Sequence, residues 1–403
     1  MLFVFLSHFG YAYFGASESA PQEIIAAVSM VASPTFVLIS GFMLGFLYRT
    51  RRQCFGQMRD RLIDRGIFLL TIGHALILLA HQSLHASWRW GFITDAIGFS
   101  MIAGALLVDR LKPSRRLLLS AAVYGSAWGV MTFWRPESAL LQFFEETLVG
   151  TVGDRHYIYN FPILPWFSLY FASSVIGERI GAYHQAGRET SARRMFAYLS
   201  VVSTAVAIVG LVVSLVVISE RPEFSAAERA RRHSTLVDDG FRAALVLVDP
   251  TASAGPALGL TSPFQKRPPG PVFLALYGGA GALILYGCLE LERRKRGRRM
   301  LAWIAILGRA SLFAFVAQYF AYYTVLHRLA PRVSPWWPIP FAASALLLTF
   351  GAALWSRWGG NQYISVGYPA IAAHLAQRWS PPRLPYAGTP ADLRRRGFDR
   401  LRP

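Results

Sequence analysis

Phe196–Ser219 reads FAYLSVVSTAVAIVGLVVSLVVIS, 24 residues without a single Asp, Glu, Lys or Arg. As a helix this stretch reaches about 36 Å, more than the roughly 30 Å of bilayer hydrocarbon. A run this long and this apolar is a transmembrane helix. Working outward from it, similar runs occupy Met1–Phe14, Ile24–Tyr48, Gly66–His85, Gly91–Val108, Leu117–Trp134 and Phe161–Ile180 on the N-terminal side. On the C-terminal side they occupy Val272–Leu291, Leu301–Leu326 and Pro338–Trp355. The expected fold is therefore all-α, a polytopic membrane protein of about ten transmembrane helices. Composition agrees: 54% of the 403 residues are hydrophobic and 16% are charged, against about a quarter charged in soluble domains.

The formal net charge of +19 raises nucleic acid as a partner, and its distribution excludes that reading. A nucleic-acid surface needs a basic stripe, whereas here Lys and Arg form short clusters between apolar runs. Counted over alternate loops, 28 lie on one side and 12 on the other, seven of the 12 in one long loop. The positive-inside rule places the richer side, and with it both termini, in the cytoplasm. The long loop 220–270 is then external, and its first half, PEFSAAERARRHSTLVDDGF, suits an interfacial helix. Residues 1–356 form a membrane domain that includes this loop, and residues 357–403 form a basic, Pro-rich cytoplasmic tail. Cys54 and Cys288 are isolated thiols on the reducing side and imply neither a disulfide framework nor a metal site. No cleavable signal peptide and no internal repeat is visible. The 14 residues of Met1–Phe14 reach about 21 Å, short of the bilayer, so an extension upstream of Met1 is expected.

Ionisable groups inside apolar spans are costly and mark functional candidates. His8 in FVFLSHFGYAYF is a candidate general base, or a histidine bonded to a neighbouring helix. His74 and His81 are seven apart and share a helix face with room for haem or a metal. No second helix offers a paired set, and His81 and His85 sit near the outer interface, so no metal is expected. Asp95 in GFITDAIGFS either orients a histidine or pairs with Arg89. Arg309 either snorkels to the cytoplasmic surface or meets anionic phosphates. Gln318 is polar within a span, and Glu178 and Arg179 stand at a membrane edge. The clusters RTRR (Arg49–Arg52) and ERRKRGRR (Glu292–Arg299) suit a nucleotide phosphate, anionic lipid or simple topological anchoring. Gly278, Gly279 and Gly281 suggest helix packing. No phosphate loop, HExxH or GxSxG is present.

Seven segments occur in an order that carries a resemblance: SHFG, ASPTFVLISGFMLGFLYR, RLIDRGIFLL, ITDAIGFSMIAGALLV, NFPILPWFSLYFASSVIGERIG, QKRPPGPVFLALYGG and ILGRASLFAFVAQYF. Together they resemble the bacterial membrane proteins related to heparan-alpha-glucosaminide N-acetyltransferase. These belong to the wider superfamily of type 3 membrane acyltransferases and glucan-succinylating membrane proteins. The resemblance covers most of residues 1–356 outside much of the 220–260 loop. It implies a multi-pass protein of the bacterial inner membrane. It also implies acyl transfer, most naturally of acetyl, from cytoplasmic acyl-CoA to a carbohydrate or lipid-linked cell-envelope acceptor. His8 matches the expected base in the first helix, and Asp95 would fix its tautomer. Arg51, Arg52, Arg65 and Arg309 would meet the donor's phosphates. Two departures stand out. No basic or acidic residue followed by Arg-Gly precedes His8, and Gln318 occupies a position that is often histidine. The rival expectations are a transporter or flippase for a lipid-linked or sugar substrate, and a membrane scaffold without chemistry. Expected partners are membrane lipid, acyl-CoA, the acceptor and a second copy of the chain.

Overall fold

A computed structural model describes residues 1–14, 20–81, 90–134, 136–150, 158–159, 161–219, 260, 266, 268–294, 297–326 and 335–360. His85, Arg89, most of the 220–270 loop with its expected interfacial helix, and the tail after 360 lie outside them. The described residues form fourteen α-helices. These are α1 (Leu2–Phe14), α2 (Ala20–Ser29), α3 (Ala32–Thr50), α4 (Phe55–Phe68), α5 (His74–His81), α6 (Ile93–Leu107), α7 (Pro113–Phe133), α8 (Ala139–Leu148), α9 (Ile163–Gln185) and α10 (Glu189–Ser219). They continue with α11 (Pro271–Arg293), α12 (Arg298–Arg309), α13 (Ser311–Tyr319) and α14 (Pro338–Arg357). Five helical stretches are long and apolar enough to cross a membrane, and six if the bent pair α12–α13 counts as one. The chain is a multi-pass helical membrane protein.

Several elements depart from the expected spans. The run Ile24–Tyr48 is kept as one membrane-length stretch, Ile24–Thr50, with a turn at Met30–Val31 between α2 and α3. The run at Gly66 begins earlier, at Phe55, and passes through a π-helical segment, Leu69–Gly73, before α5. The run Leu301–Leu326 breaks at Ala310, where α12 and α13 meet at 75°, and ends in a second π segment, Phe320–Leu326. Helix α8 and a two-residue parallel pairing of Trp90–Gly91 with Ile158–Tyr159 were not foreseen. Helix α9 is long enough to cross but too polar in composition to join the apolar-span set, and it packs against α3, α6 and α7. Its Ser168, Ser173 and Ser174 are buried there, so protein rather than lipid surrounds its polar residues.

Lipid tails are as apolar as leucine, so helices in a membrane associate by close packing and not by expulsion of water. Two glycine pairs spaced four apart, Gly41/Gly45 and Gly177/Gly181, make this possible for α3 and α9. A Cβ on Gly41 would stand 1.9 Å from the Tyr170 carbonyl oxygen, one on Gly45 1.7 Å from that of Ser174, and one on Gly177 1.9 Å from that of Phe42. Helices α4 and α6 touch likewise: a Cβ on Gly66 would lie 2.6 Å from the Gly98 carbonyl oxygen. Among the expected packing glycines, Gly279 abuts Ser203 and Gly281 abuts Thr35, while Gly278 faces open space. Trp166, Tyr170, Phe171 and Phe273 anchor the main core. A second core joins Phe5 and Phe9 of α1 to Ala314, Tyr322 and Leu348. Val201, Val209, Leu346 and Leu347 point outward, each more than three-fifths exposed, as lipid-facing side chains must.

Candidate functional site

The Gly66–Gly98 contact decides where the polar residues meet. His74 follows Gly66 by two turns, and Asp95 precedes Gly98 by one, so close approach of α4 and α6 brings the two side chains together. His74 Nδ1 lies 3.0 Å from both Asp95 carboxylate oxygens. Asp95 also accepts the Phe92 amide at 2.8 Å, capping α6. Its side chain is 3% exposed and that of His74 21%. A carboxylate on imidazole Nδ1 holds the tautomer with its lone pair on Nε2 and stabilises the imidazolium. The histidine that Asp95 meets is His74, not His8. Arg89 lies outside the described residues.

His8 is half-buried on α1. Its Nδ1 lies 2.8 Å from Tyr323 Oη, and its ring packs on Tyr319 with centroids 4.6 Å apart. Tyr319 in turn meets Phe92 edge-on at 6.3 Å, and Phe92 meets His74 at 5.3 Å. His8, Tyr319, Phe92, His74 and Asp95 thus form a contiguous series across four helices. Thr324 donates to the Ala80 carbonyl at 3.1 Å, tying the second π segment to α5. Each π segment adjoins the site: one ends at Gly73, next to His74, and the other contains Tyr323. A π turn inserts a residue and rotates the side chains that follow it, and such turns are frequent at functional sites. Gln318, one residue before Tyr319, is fully buried, and among the described residues neither its amide oxygen nor its nitrogen has a hydrogen-bond partner.

The basic candidates are spread over different elements. Arg51 and Arg52 are exposed at the turn after α3, and the Arg52 guanidinium stands 6.0 Å from the Tyr48 ring. Arg65 is half-buried on α4 within electrostatic range of Tyr170. Arg309 is exposed at the α12–α13 bend. The structure adds Arg116, in the first turn of α7. It is fully buried, pairs with Glu178, donates to Ser174 at 3.0 Å and stands 5.9 Å from the same Tyr48 ring. Glu290 accepts Arg193 at 2.7 Å, which ties α11 to α10, and also binds Arg293 and Arg294 of the ERRKRGRR cluster at the end of its own helix. Among the described residues no three His, Cys, Asp or Glu side chains gather as a metal set.

Sequence reading found His8, His74, Asp95 and Gln318 one at a time and missed their arrangement. Tyr319 and Tyr323, four apart on one helical face, were legible as partners for a histidine. His74 and Asp95, 21 residues apart on different helices, carry no local signal. No family model, curated protein or solved structure matches the chain.

Proposed function

We propose that the chain is a membrane acyltransferase that moves an acyl group, most naturally acetyl, from cytoplasmic acyl-CoA to a carbohydrate or lipid-linked acceptor. The proposal places about ten crossings in a bacterial inner membrane with both termini cytoplasmic, on the strength of the 28-to-12 division of basic residues. The observation that carries the chemistry is the gathering of two imidazoles, a carboxylate and two tyrosines inside apolar helices, where each would otherwise be costly.

The acceptor hydroxyl or amine attacks the thioester carbonyl, a C–O or C–N bond forms, the C–S bond breaks, and coenzyme A leaves as the thiol. The acceptor's proton goes to His8, which passes it to the departing sulfur and is thereby regenerated. When His8 Nδ1–H donates to Tyr323, Nε2 carries the lone pair that takes it. Asp95 and His74 form a second acid–base pair beside the first. Arg51, Arg52, Arg65 and Arg309 would meet the donor's phosphates from the basic side; all but Arg65 are exposed.

Purified protein incubated with acetyl-CoA and a hexosamine should release free thiol, and His8→Ala should slow the release by about 10²–10⁴-fold with unchanged thermal unfolding. Loss of release on His74→Ala with His8→Ala still active would move the base to His74. Absence of release from the wild type would end the enzyme reading. The transporter alternative is favoured by one observation, the discontinuous α12–α13 helix, since broken helices line many transport sites. Uptake of labelled sugar into proteoliposomes without thiol release would establish it.

A further inference from the structure

The run Leu301–Leu326 was expected to cross the membrane as one helix, and the 75° bend at Ala310 prevents this. Helix α13 with its π continuation, Ser311–Leu326, reaches about 24 Å, most of the roughly 30 Å of hydrocarbon. If that segment lies along the membrane normal, α12 lies across it. In helical register Met300, Trp303, Ile304 and Leu307 share one side, at i, i+3, i+4 and i+7, while Ala302, Ala305 and Arg309 fall on the other. Leu307 is buried near the bend, in the core that includes Ala310 and Ala314. Met300, Trp303 and Ile304 are 50%, 54% and 39% exposed, a patch that water would penalise. From Arg293 to Arg309 the sequence RRKRGRRMLAWIAILGR contains no acid. Arg293 and Arg294 are engaged by Glu290, whereas Arg299 and Arg309 are exposed and form no ion pair among the described residues. An apolar side and a cationic remainder on one helix are the physical requirements for residence at a charged bilayer surface.

We propose that α12 is an interfacial helix that binds anionic phospholipid. Met300, Trp303 and Ile304 enter the boundary between headgroups and acyl chains. Arg299 and Arg309 meet lipid phosphate. The inference does not need acyl transfer to hold, but it assigns Arg309 to lipid phosphate in place of the donor's phosphates, and it gives the basic cluster a partner other than a nucleotide.

Two measurements on the full chain test it. In a Cys54→Ser, Cys288→Ser background, nitroxides are placed at Met300→Cys and at Ala305→Cys in nanodiscs. The first should be relaxed by oxygen and the second by a water-soluble nickel chelate. Equal exposure of both labels to oxygen would mean a lipid-spanning α12 and overturn the proposal. In the second, detergent-solubilised protein is titrated with brominated phosphatidylglycerol, and the quenching lost on Trp303→Phe is the signal. Arg299→Gln with Arg309→Gln should weaken the apparent affinity by more than tenfold, at roughly fivefold per arginine. The double lysine variant should restore most of it, and brominated phosphatidylcholine should show no difference between the proteins. A thermal midpoint in phosphatidylcholine equal to wild type verifies that the glutamine variant is folded. An unchanged affinity for phosphatidylglycerol in the folded variant would overturn the proposal.

Discussion

Gly45→Ala should destabilise the protein even though alanine is the better helix former. A Cβ at this position would stand 1.7 Å from the Ser174 carbonyl oxygen and 2.8 Å from the Glu178 amide nitrogen, where ordinary contact begins at 3.4 Å. Helix α9 would have to recede by about 1.7 Å, the difference between those two distances, against the resistance of the neighbouring contacts at Gly41 and Gly177. Overpacking of this kind costs about 1–3 kcal/mol. Ser174 and Glu178 are also the partners of Arg116, which is fully buried, so a shift of α9 disturbs that pair, and breaking a buried pair costs about 3–5 kcal/mol when it is complete. The expected loss therefore starts at about 1 kcal/mol and rises toward the larger range if the pair opens. Gly129→Ala is the matched control. It lies on α7 with nothing within 4 Å of its would-be Cβ, so the added methyl meets no neighbour and the intrinsic preference of about 0.5–1 kcal/mol favours alanine. Fluorescence-detected thermal unfolding in detergent reads both. The midpoint should fall by a few degrees for Gly45→Ala, at about 2–4 °C per kcal/mol or less for a chain this long, and rise slightly for Gly129→Ala. A Gly45→Ala midpoint at or above that of Gly129→Ala would refute the close crossing.

Asp95→Ala should cost more stability than His74→Ala. It removes the cap on the Phe92 amide and the bond to His74 together, about 2–4 kcal/mol in sum, and thermal unfolding of the two variants checks the order. Tyr323→Phe should retain the fold and lower acyl transfer less than His8→Ala does, because it removes the partner of His8 Nδ1 and not the base; equal losses in thiol-release assays would contradict the assignment. Reporter fusions after Arg52, Arg116, Arg194, Arg299 and Arg357 should report cytoplasm, and fusions at Glu18, Ser138, Ser253 and Ser334 the outside. Two or more inverted reporters would break the proposed topology.

The separate candidates were legible because an ionisable or amide side chain inside an apolar run is conspicuous wherever the run folds. His8, His74, Asp95, Arg309 and Gln318 were all visible in that way. The length of the Phe196–Ser219 stretch of α10 and its freedom from charge were enough to point to a membrane. The break at Ala310 escaped because hydropathy sums composition along a window and is blind to direction. A run of 26 residues from Leu301 to Leu326 scores the same straight or bent. The amphipathic register of Met300, Trp303, Ile304 and Leu307 was the available signal for α12.

From the sequence alone came the class of protein, most of its helices and the alternation of basic loops, because these depend on local quantities: apolar length, charge count and the rise of an α-helix. Partner choice depended on the tertiary structure. Asp95 bonds to His74 because Gly66 and Gly98 let α4 and α6 approach within a backbone contact. Arg116 is a buried ion pair because α7 packs against α9, which carries Ser174 and Glu178, while Gly41, Gly45 and Gly177 bring α3 close to α9 and set Tyr48 beside the guanidinium. Close approach of this kind arises between residues far apart in the chain, and no window along the sequence contains both sides of it.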